Sequence, residues 1–479
     1  MSVVFGAWNV VLGACVEFGI WCLVLVYAMR PISVSMISLG CPRTLVDSEL
    51  LLGRLAHTGY RIVDQVEGAD VALVNTCAFI QESINESIET ILDLIDLKKA
   101  GKVRIVIVAG CLAQRFIQEL PAALAEVNGF VGVDGYASID RIVEDALAGQ
   151  RPMRWSARPA SLGAGARVAL TPNHYAYLKI SEGCLRGCSF CIIPKIKGPL
   201  VSRPIESLVD ETRRLVEERG VKELIVVGQD TSDYGRDLYG RSRLAELMDA
   251  LSRVEGLRWI RLLYCHPQGV TDALMDVIAS RPTICKYLDM AIEHSEDRML
   301  RLMHRGMTRQ GLLDLIATLR ARVPGIALRT SVIVGFPGER DEDVQGLLDF
   351  LRQVRFDRLG AFRYSREEGT RSYHLPDQVP AEVMDRRYDA VMQLQQHLST
   401  EQLAEWQGRT LEVIIDEAAP NDPRLFLGRS QADCPEVDGL VYVHGEGLQP
   451  GLIVPVTITD TYEYDLVGNA HVVPHVNAR

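Results

Sequence analysis

Three cysteines fall within eight residues, Cys184-x-x-x-Cys188-x-x-Cys191, and no other feature restricts this chain so strongly. In a reducing compartment, thiolates this closely grouped more often bind metal or an iron–sulfur cluster than pair with one another. Eleven cysteines among 479 residues do not make a disulfide scaffold, which belongs to small secreted domains. Three ligands on one short loop can hold three irons of a [4Fe–4S] cube and leave the fourth iron open. A zinc knuckle and a ferredoxin-like site are the alternatives at this point. Zinc wants a fourth Cys or His nearby, and the next loop downstream offers neither. Cys265, Cys285 and Cys434 are scattered singly and read as incidental.

A chain of this length exceeds one compact core, so two or three domains are expected. Residues 1–29 form an apolar leader without Lys or Arg, the first base of the chain being Arg30. A signal peptide would begin with basic residues, and Asn9 and Glu17 interrupt a membrane span. The leader is therefore read as a start-site artefact, with translation expected from Met29, and no stable membrane association is expected. Cys15 and Cys22 within it carry no functional weight.

Residues 30–148 alternate short β-rich runs (Ile32–Ser38, Val71–Asn75, Val103–Ala109) with helical patterns (Thr44–Ala56, Glu82–Leu97, Ile139–Ala148). Such alternation predicts a doubly wound α/β domain with a parallel sheet. Cys41, Cys77 and Cys111 each follow one of those strands by two or three residues. The carboxyl ends of the strands line the ligand crevice of such a sheet, so the three should converge on one edge. The bland alternative is three ordinary buried cysteines. Residues 149–172 lack periodicity and read as a linker.

Over 173–403, strands are expected at Ala176–Ile180, Glu223–Val227, Trp259–Leu263, Tyr287–Met290, Ala327–Val334 and Arg358–Tyr364, each followed by a helical stretch. Six βα units predict a partial or full α/β barrel with its site at the carboxyl ends of the strands. The Cys184–Cys191 triad occupies the loop after the first of them. From 404 to 479 short alternating runs with Gly/Pro/Asp turns predict a small antiparallel β-barrel.

An open iron can be chelated by the amino and carboxylate groups of S-adenosylmethionine (SAM). An electron passed to the sulfonium then gives methionine and a 5′-deoxyadenosyl radical, which takes hydrogen from an unactivated C–H bond. Phe190, beside the third cysteine, is placed to shield the adenine. Gly335-Phe-Pro-Gly338-Glu339 follows an apolar strand, and its glycines permit close backbone approach to a ligand or a tight turn before the next helix. Gly228, Gln229 and Asp230 end another strand and offer polar groups to an amino-acid head group.

With these residues in place, the chain resembles the methylthiotransferase family of radical SAM enzymes over roughly residues 30–470. The resemblance implies an N-terminal three-cysteine domain, a radical SAM barrel and a C-terminal TRAM domain of OB-like form. It implies two [4Fe–4S] clusters, an auxiliary one on Cys41, Cys77 and Cys111 and the radical SAM cluster on Cys184, Cys188 and Cys191. Within the family, the similar branch acts on an aspartate of ribosomal protein S-twelve. The stretches that carry this are Gly40-Cys-Pro-Arg-Thr-Leu-Val-Asp-Ser-Glu49, Gly228-Gln-Asp-Thr-Ser232 and Tyr364-Ser-Arg-Glu-Glu-Gly-Thr370. Met392-Gln-Leu-Gln-Gln396, Pro435-Glu-Val-Asp-Gly439 and Glu463-Tyr-Asp-Leu466 add to them. Where the family usually reads Pro-Leu-Gln-His, this chain has Ala291-Ile-Glu293-His294, which exchanges an amide for a carboxylate. The implied chemistry uses one SAM to methylate a sulfur held at the auxiliary cluster. A second SAM generates the radical that removes hydrogen from the aspartate β-carbon, which then takes the methylthio group. A flavodoxin- or ferredoxin-type electron donor and a cytoplasmic location are implied with it.

Charge separates the candidate substrates. Residues 405–479 carry four arginines against twelve carboxylates, a balance of −8 in a chain of −11. Nucleic-acid binding needs cations that neutralise phosphates, so an acidic barrel argues against the tRNA adenosine substrates of the family's other branches. The same surface would attract a basic ribosomal protein, or the small ribosomal subunit through it. A non-catalytic iron–sulfur electron-transfer protein would account for six cysteines but not for Gly335–Glu339 or the TRAM-like end.

Overall fold

The computed structural model describes residues 31–156 and 165–471, together with a pairing of Val4–Phe5 with Trp8–Asn9. The start-site expectation for the leader lies outside the described residues, as do residues 157–164 of the linker and Arg479. Among the described residues no helix is long and apolar enough to cross a membrane.

The N-terminal sheet has six parallel strands. Their order is Arg61–Ile62, Ser33–Ser38, Val71–Thr76, Ile105–Gly110, Gly129–Val131, Met153–Arg154. Val71–Thr76 and Ile105–Gly110 are buried along their whole length, as central strands covered by helices on both faces must be. The three strands legible in the sequence are present, each ending one residue later than expected or at the same residue. Three more are only two or three residues long and gave no periodic signal. The sheet reaches Arg154, inside the segment expected to be linker. Chain order reverses between Ser33–Ser38 and Val71–Thr76, which makes their carboxyl ends the switch point of the sheet.

The central sheet also has six parallel strands, here in strict chain order: Tyr175–Lys179, Glu223–Val227, Trp259–Cys265, Ile284–Met290, Ala327–Val334, Arg358–Arg363. It is an open six-stranded partial barrel, with the intervening helices packed on its outer face around one large apolar core. Its inner side is filled by Tyr175, Tyr177, Trp259 and Tyr287, joined by Val46 and Leu50 of the N-terminal helix Pro42–His57 and by Ile414 and Cys434 of the last domain.

The C-terminal strands Thr410–Ala418, Leu425–Ser430, Val441–His444, Leu466–Ala470 and Ile453–Thr461 close into a barrel in that order. Four of its pairings are antiparallel, but Val441–His444 runs parallel to Leu466–Ala470. The long helix Ala381–Ala404 delivers the chain to this barrel.

Buried charges join the three units. Arg261 and Glu223, both fully buried, pair at 2.8 Å, and Glu223 also takes Arg429 of the C-terminal barrel at 2.7 Å. Arg429 in turn holds Asp416, which accepts from His174. Arg329 pairs with Asp438 at 3.3 Å, and Arg358 with Asp433. On the other side, Lys179 and Lys197 of the central domain face Asp47 of the N-terminal helix and Glu182. Arg167, in the segment read as linker, pairs with Glu49 and Glu211, so that its end is pinned between the first two units.

Candidate active site

The auxiliary set is built by glycines. Gly40 has φ +92°, and a Cβ there would lie 2.8 Å from Cys77 Cβ, so only glycine lets the first strand turn against the second. Gly110 has φ +100°, with Asn75 Oδ1 2.5 Å from where its Cβ would stand. Each of these glycines is followed at once by its cysteine. Cys41, Cys77 and Cys111 consequently line one cavity at the switch point of the sheet. Burial pushes the Cys77 thiol up and the Cys111 thiol to about 12, and neighbouring sulfurs of the set add to each shift. Burial acts on Cys41 too, but the Arg43 cation and hydrogen bonds from Arg43 and Thr44 bring it down to about 7. Arg43 Nε donates to Cys41 Sγ at 3.2 Å.

The triad sits between Ser181–Glu182 and Val201–Ser202, which pair as a short antiparallel ribbon beyond the first central strand. Cys184 again follows a glycine of positive φ, Gly183, whose missing Cβ leaves room for the Pro199 carbonyl. Cys184, Cys188 and Cys191 line a second cavity of about 290 Å³. Burial raises Cys184 to about 11 and Cys191 to about 12, the latter also feeling Cys188 and Cys184. The Arg186 N–H donates to Cys184 Sγ at 3.3 Å, and Arg305 Nη1 donates to Cys188 Sγ at 3.2 Å.

Both sets suit iron–sulfur clusters: three mutually interacting thiols share a cavity wall, with cationic donors aimed at one sulfur of each. Among the described residues no three His, Cys, Asp or Glu side chains gather closely enough for a single metal ion. A cube differs in placing each thiolate on a separate iron, and bound iron deprotonates its thiols outright.

The expected SAM contacts divide. Phe190, Gln229 and Asp230 line the triad cavity. Asp230 accepts from Arg186 at 2.7 Å and from the Ser232 N–H, while Gln229 donates to Glu182. Gly228 stands behind this wall, and its carbonyl accepts from Arg43 Nη1 at 3.0 Å. Gly335, Gly338 and Glu339 are not brought to the cavity. Gly335 has φ +76° and makes room for Met384 on the helix Ala381–Ala404. Glu339 accepts from the Gly335 N–H and from Arg387 at 2.8 Å, and Gly338 N–H donates to Asp377 O. The turn is braced from within, and the preceding strand presents Ser331 and Ile333 to the cavity instead.

Several cavity residues were not singled out from the sequence. Arg186 lay inside the triad and was available as a signal. Arg305 and His266 come from other loops and Tyr264 from the strand Trp259–Cys265, and nothing in their spacing marked them. Burial and the cations Arg305 and Arg186 hold His266 down at about 2, so its ring is neutral. Its Nδ1 accepts from the Gln268 N–H, which leaves the proton on Nε2. Glu293, the residue that departs from the family pattern, also lines the cavity at φ +69°, and burial raises its carboxyl against the pull of Arg305.

The two cavities adjoin. Arg43, Phe79, Ile80, Ile193, Gln229 and Tyr264 belong to the walls of both. Arg115 pairs with Glu367 at 2.7 Å, and Gln81 N–H donates to Ser365, so the Tyr364–Thr370 stretch ties the N-terminal domain to the rim. Pro435, Glu436 and Val437 of the last domain close the auxiliary cavity from the far side.

Residues 178–351 match the model of the Radical SAM superfamily, residues 33–132 that of Uncharacterized protein family UPF0004, and residues 408–470 that of the TRAM domain. Among curated proteins, the chain is 47% identical over 91% of its length to the ribosomal protein uS12 methylthiotransferase RimO of Anaeromyxobacter sp. (strain K), covering 92% of that protein. It is 42% identical to the protein of the same name from Clostridioides difficile (strain 630) and 44% to that from Geobacter sulfurreducens, spanning 91% of this chain and 98% of each. Among solved structures, the radical S-adenosylmethionine methyltransferase TsrM of Kitasatospora setae superposes with a TM-score of 0.50 at 14% identity. The match covers 69% of this chain and 73% of that one, a likeness of fold.

Proposed function

Since the chain belongs to the RimO family of ribosomal protein uS12 methylthiotransferases, we propose that it adds a methylthio group to the β-carbon of an aspartate in that ribosomal protein. The observation that carries this reading is the pair of three-cysteine sets on adjoining cavities with a common wall. A reaction that removes hydrogen at one centre and delivers sulfur from another needs both within reach of one carbon.

The cofactors are two [4Fe–4S] clusters and SAM. We assign Cys184, Cys188 and Cys191 to the radical SAM cluster and Cys41, Cys77 and Cys111 to the auxiliary one. When bound, these groups supply the electron that cleaves SAM and the site that holds the sulfur to be transferred. The chain's own part is to orient and to exclude water. Arg305 and Arg43 each donate to one cysteine sulfur, and charge on sulfur is stabilised by such donors. Neutral His266 and the Asp230 carboxylate offer a donor and an acceptor to the amino-acid end of SAM, and Phe190 an apolar face to its adenine. Ile333, Phe190 and the Tyr264 ring give the radical cavity an apolar lining that would limit water beside the reacting atoms.

For the partner, we read the C-terminal barrel as the docking surface, though a smaller one than total charge implies. Asp416, Asp433 and Asp438 are spent on Arg429, Arg358 and Arg329 inside the molecule. Asp438 is only 2% exposed and so is unavailable to a partner. Glu405, Glu412, Glu417, Glu436, Glu446, Asp460 and Glu463 remain exposed, against Arg409 and Arg424. That balance still favours a basic protein over a phosphate backbone. A flavodoxin- or ferredoxin-type donor and a cytoplasmic setting complete the reading.

Mass spectrometry of uS12 and of tRNA from a deletion strain tests it. The methylthio group should vanish from the uS12 aspartate while tRNA modifications persist. Loss from tRNA alone would overturn the substrate.

A further inference from the structure

The wall common to both cavities holds one cation, which forms no salt bridge with a carboxylate among the described residues, although Glu182 acts on it from farther off. Of the six residues there, Phe79, Ile80 and Ile193 are apolar, Tyr264 and Gln229 are neutral, and Arg43 is charged. Three of the four other cations lining either cavity are held by carboxylates, and the fourth, Arg305, lies outside the common wall. Arg186 is held by Asp230 and Asp233, Lys197 by Asp47 and Glu182, and Arg363 by Asp385. Arg305 is turned to Cys188 and the Ala291 carbonyl. Arg43 lies with its guanidinium 4.7 Å over the Tyr264 ring, with Nε on Cys41 Sγ and Nη1 on the Gly228 carbonyl. Those contacts fix the plane of the fork and leave Nη2 without a hydrogen-bond partner among the described residues. Beside it, the side-chain oxygen of Gln229 is buried and has no donor.

We propose that Arg43 is the specificity residue for the target side chain, holding the substrate aspartate's carboxylate while Gln229 Oε1 accepts an N–H from the same peptide segment. The inference rests on the uS12 aspartate reading above. The chemistry fits at the level of bonds. The β-carbon of an aspartate is directly attached to its carboxylate carbon, so a carboxylate held at the shared wall puts the reacting carbon between the two cysteine sets. An arginine pre-oriented by three contacts also loses little freedom on binding, and its planar fork matches a carboxylate. A carboxylate brings this cation a countercharge that an amide does not, which favours an acidic over an amide side chain at the target position.

The test is the affinity of the reconstituted, SAM-loaded enzyme for uS12 and for uS12 with the target aspartate changed to asparagine. Wild type should bind the aspartate form about ten- to hundredfold more tightly, the range expected of a hydrogen-bonded charge pair. Arg43→Gln should bind both forms alike, and Arg43→Lys should recover part of the preference. Iron content, measured on each variant, identifies any protein that has lost a cluster. Equal binding of the two forms by wild type overturns the inference whatever the variants do, as does a retained aspartate preference in iron-replete Arg43→Gln. Failure of wild type to modify uS12 at all would instead overturn the functional reading on which it stands.

Discussion

Asp47 ties the N-terminal helix to two buried lysines beside the cysteine sites. It sits on the N-terminal helix, 1% exposed, and receives Lys179 and, at 3.3 Å, Lys197. Lys197 also lines the auxiliary cavity. Removing one partner of a buried charge set leaves the others unpaired and costs about 3–5 kcal/mol. Asp47→Ala should therefore lower the urea midpoint clearly and expose the auxiliary cysteines to a thiol reagent, whereas the exposed Asp96, paired only with Lys99, should tolerate alanine. A second test belongs to the cysteines themselves. Anaerobic reconstitution should give about eight irons per chain, four per cluster. Changing Cys184, Cys188 and Cys191 together to Ala should halve that number and abolish SAM cleavage. Cleavage surviving in the triple variant would sink the assignment of the radical site.

At the scale of elements, the sites are corners where a strand ends, glycine turns, and cysteine follows: Gly40-Cys41, Gly110-Cys111 and Gly183-Cys184. The strands and the convergence of Cys41, Cys77 and Cys111 were legible because central parallel strands are continuous apolar runs, and the strand–cysteine spacing repeats. The glycine of each corner was in plain view, but its positive φ is set by a neighbour distant in sequence. Gly335 shows the same dependence on a neighbour distant in sequence. A glycine that admits a ligand and one that admits Met384 look alike along the chain. The barrel's charge was legible only in total, since Asp433 and Asp438 pair with arginines of the central domain and Asp416 with His174 there as well as with Arg429 of its own barrel. Asp416 offers a check on that docking. Burial opposes its ionisation, but His174 and Arg429 win and hold the carboxyl below the usual range. Its contribution is thus present above the unfolded value, about 3.9, and is lost as pH falls through the folded one. Asp416→Asn should lower the melting temperature at pH 7 and have a shrinking effect below about pH 4, measured against wild type at each pH.

At the scale of the whole molecule, the exposed carboxylates of the last barrel should steer a basic partner. Changing Glu446, Asp460 and Glu463 to Lys should slow association with uS12 at low salt. The difference should fade as the Debye length falls from about 10 Å at 0.1 M to about 3 Å at 1 M salt. Equal association rates for variant and wild type at low salt would leave the acidic face as mere solvated surface. The distribution of cavity walls along the chain has a consequence of another kind, in the order of synthesis. Every strand of the first sheet lies between residues 33 and 154, so Cys41, Cys77 and Cys111 stand on a finished edge early in translation. Ile193, Ile196 and Lys197, then Leu263 and Tyr264, are made later, and Pro435, Glu436 and Val437 close the far side last. A chain truncated before Pro435 should therefore leave the auxiliary cysteines more open to a large thiol reagent than the full-length protein does.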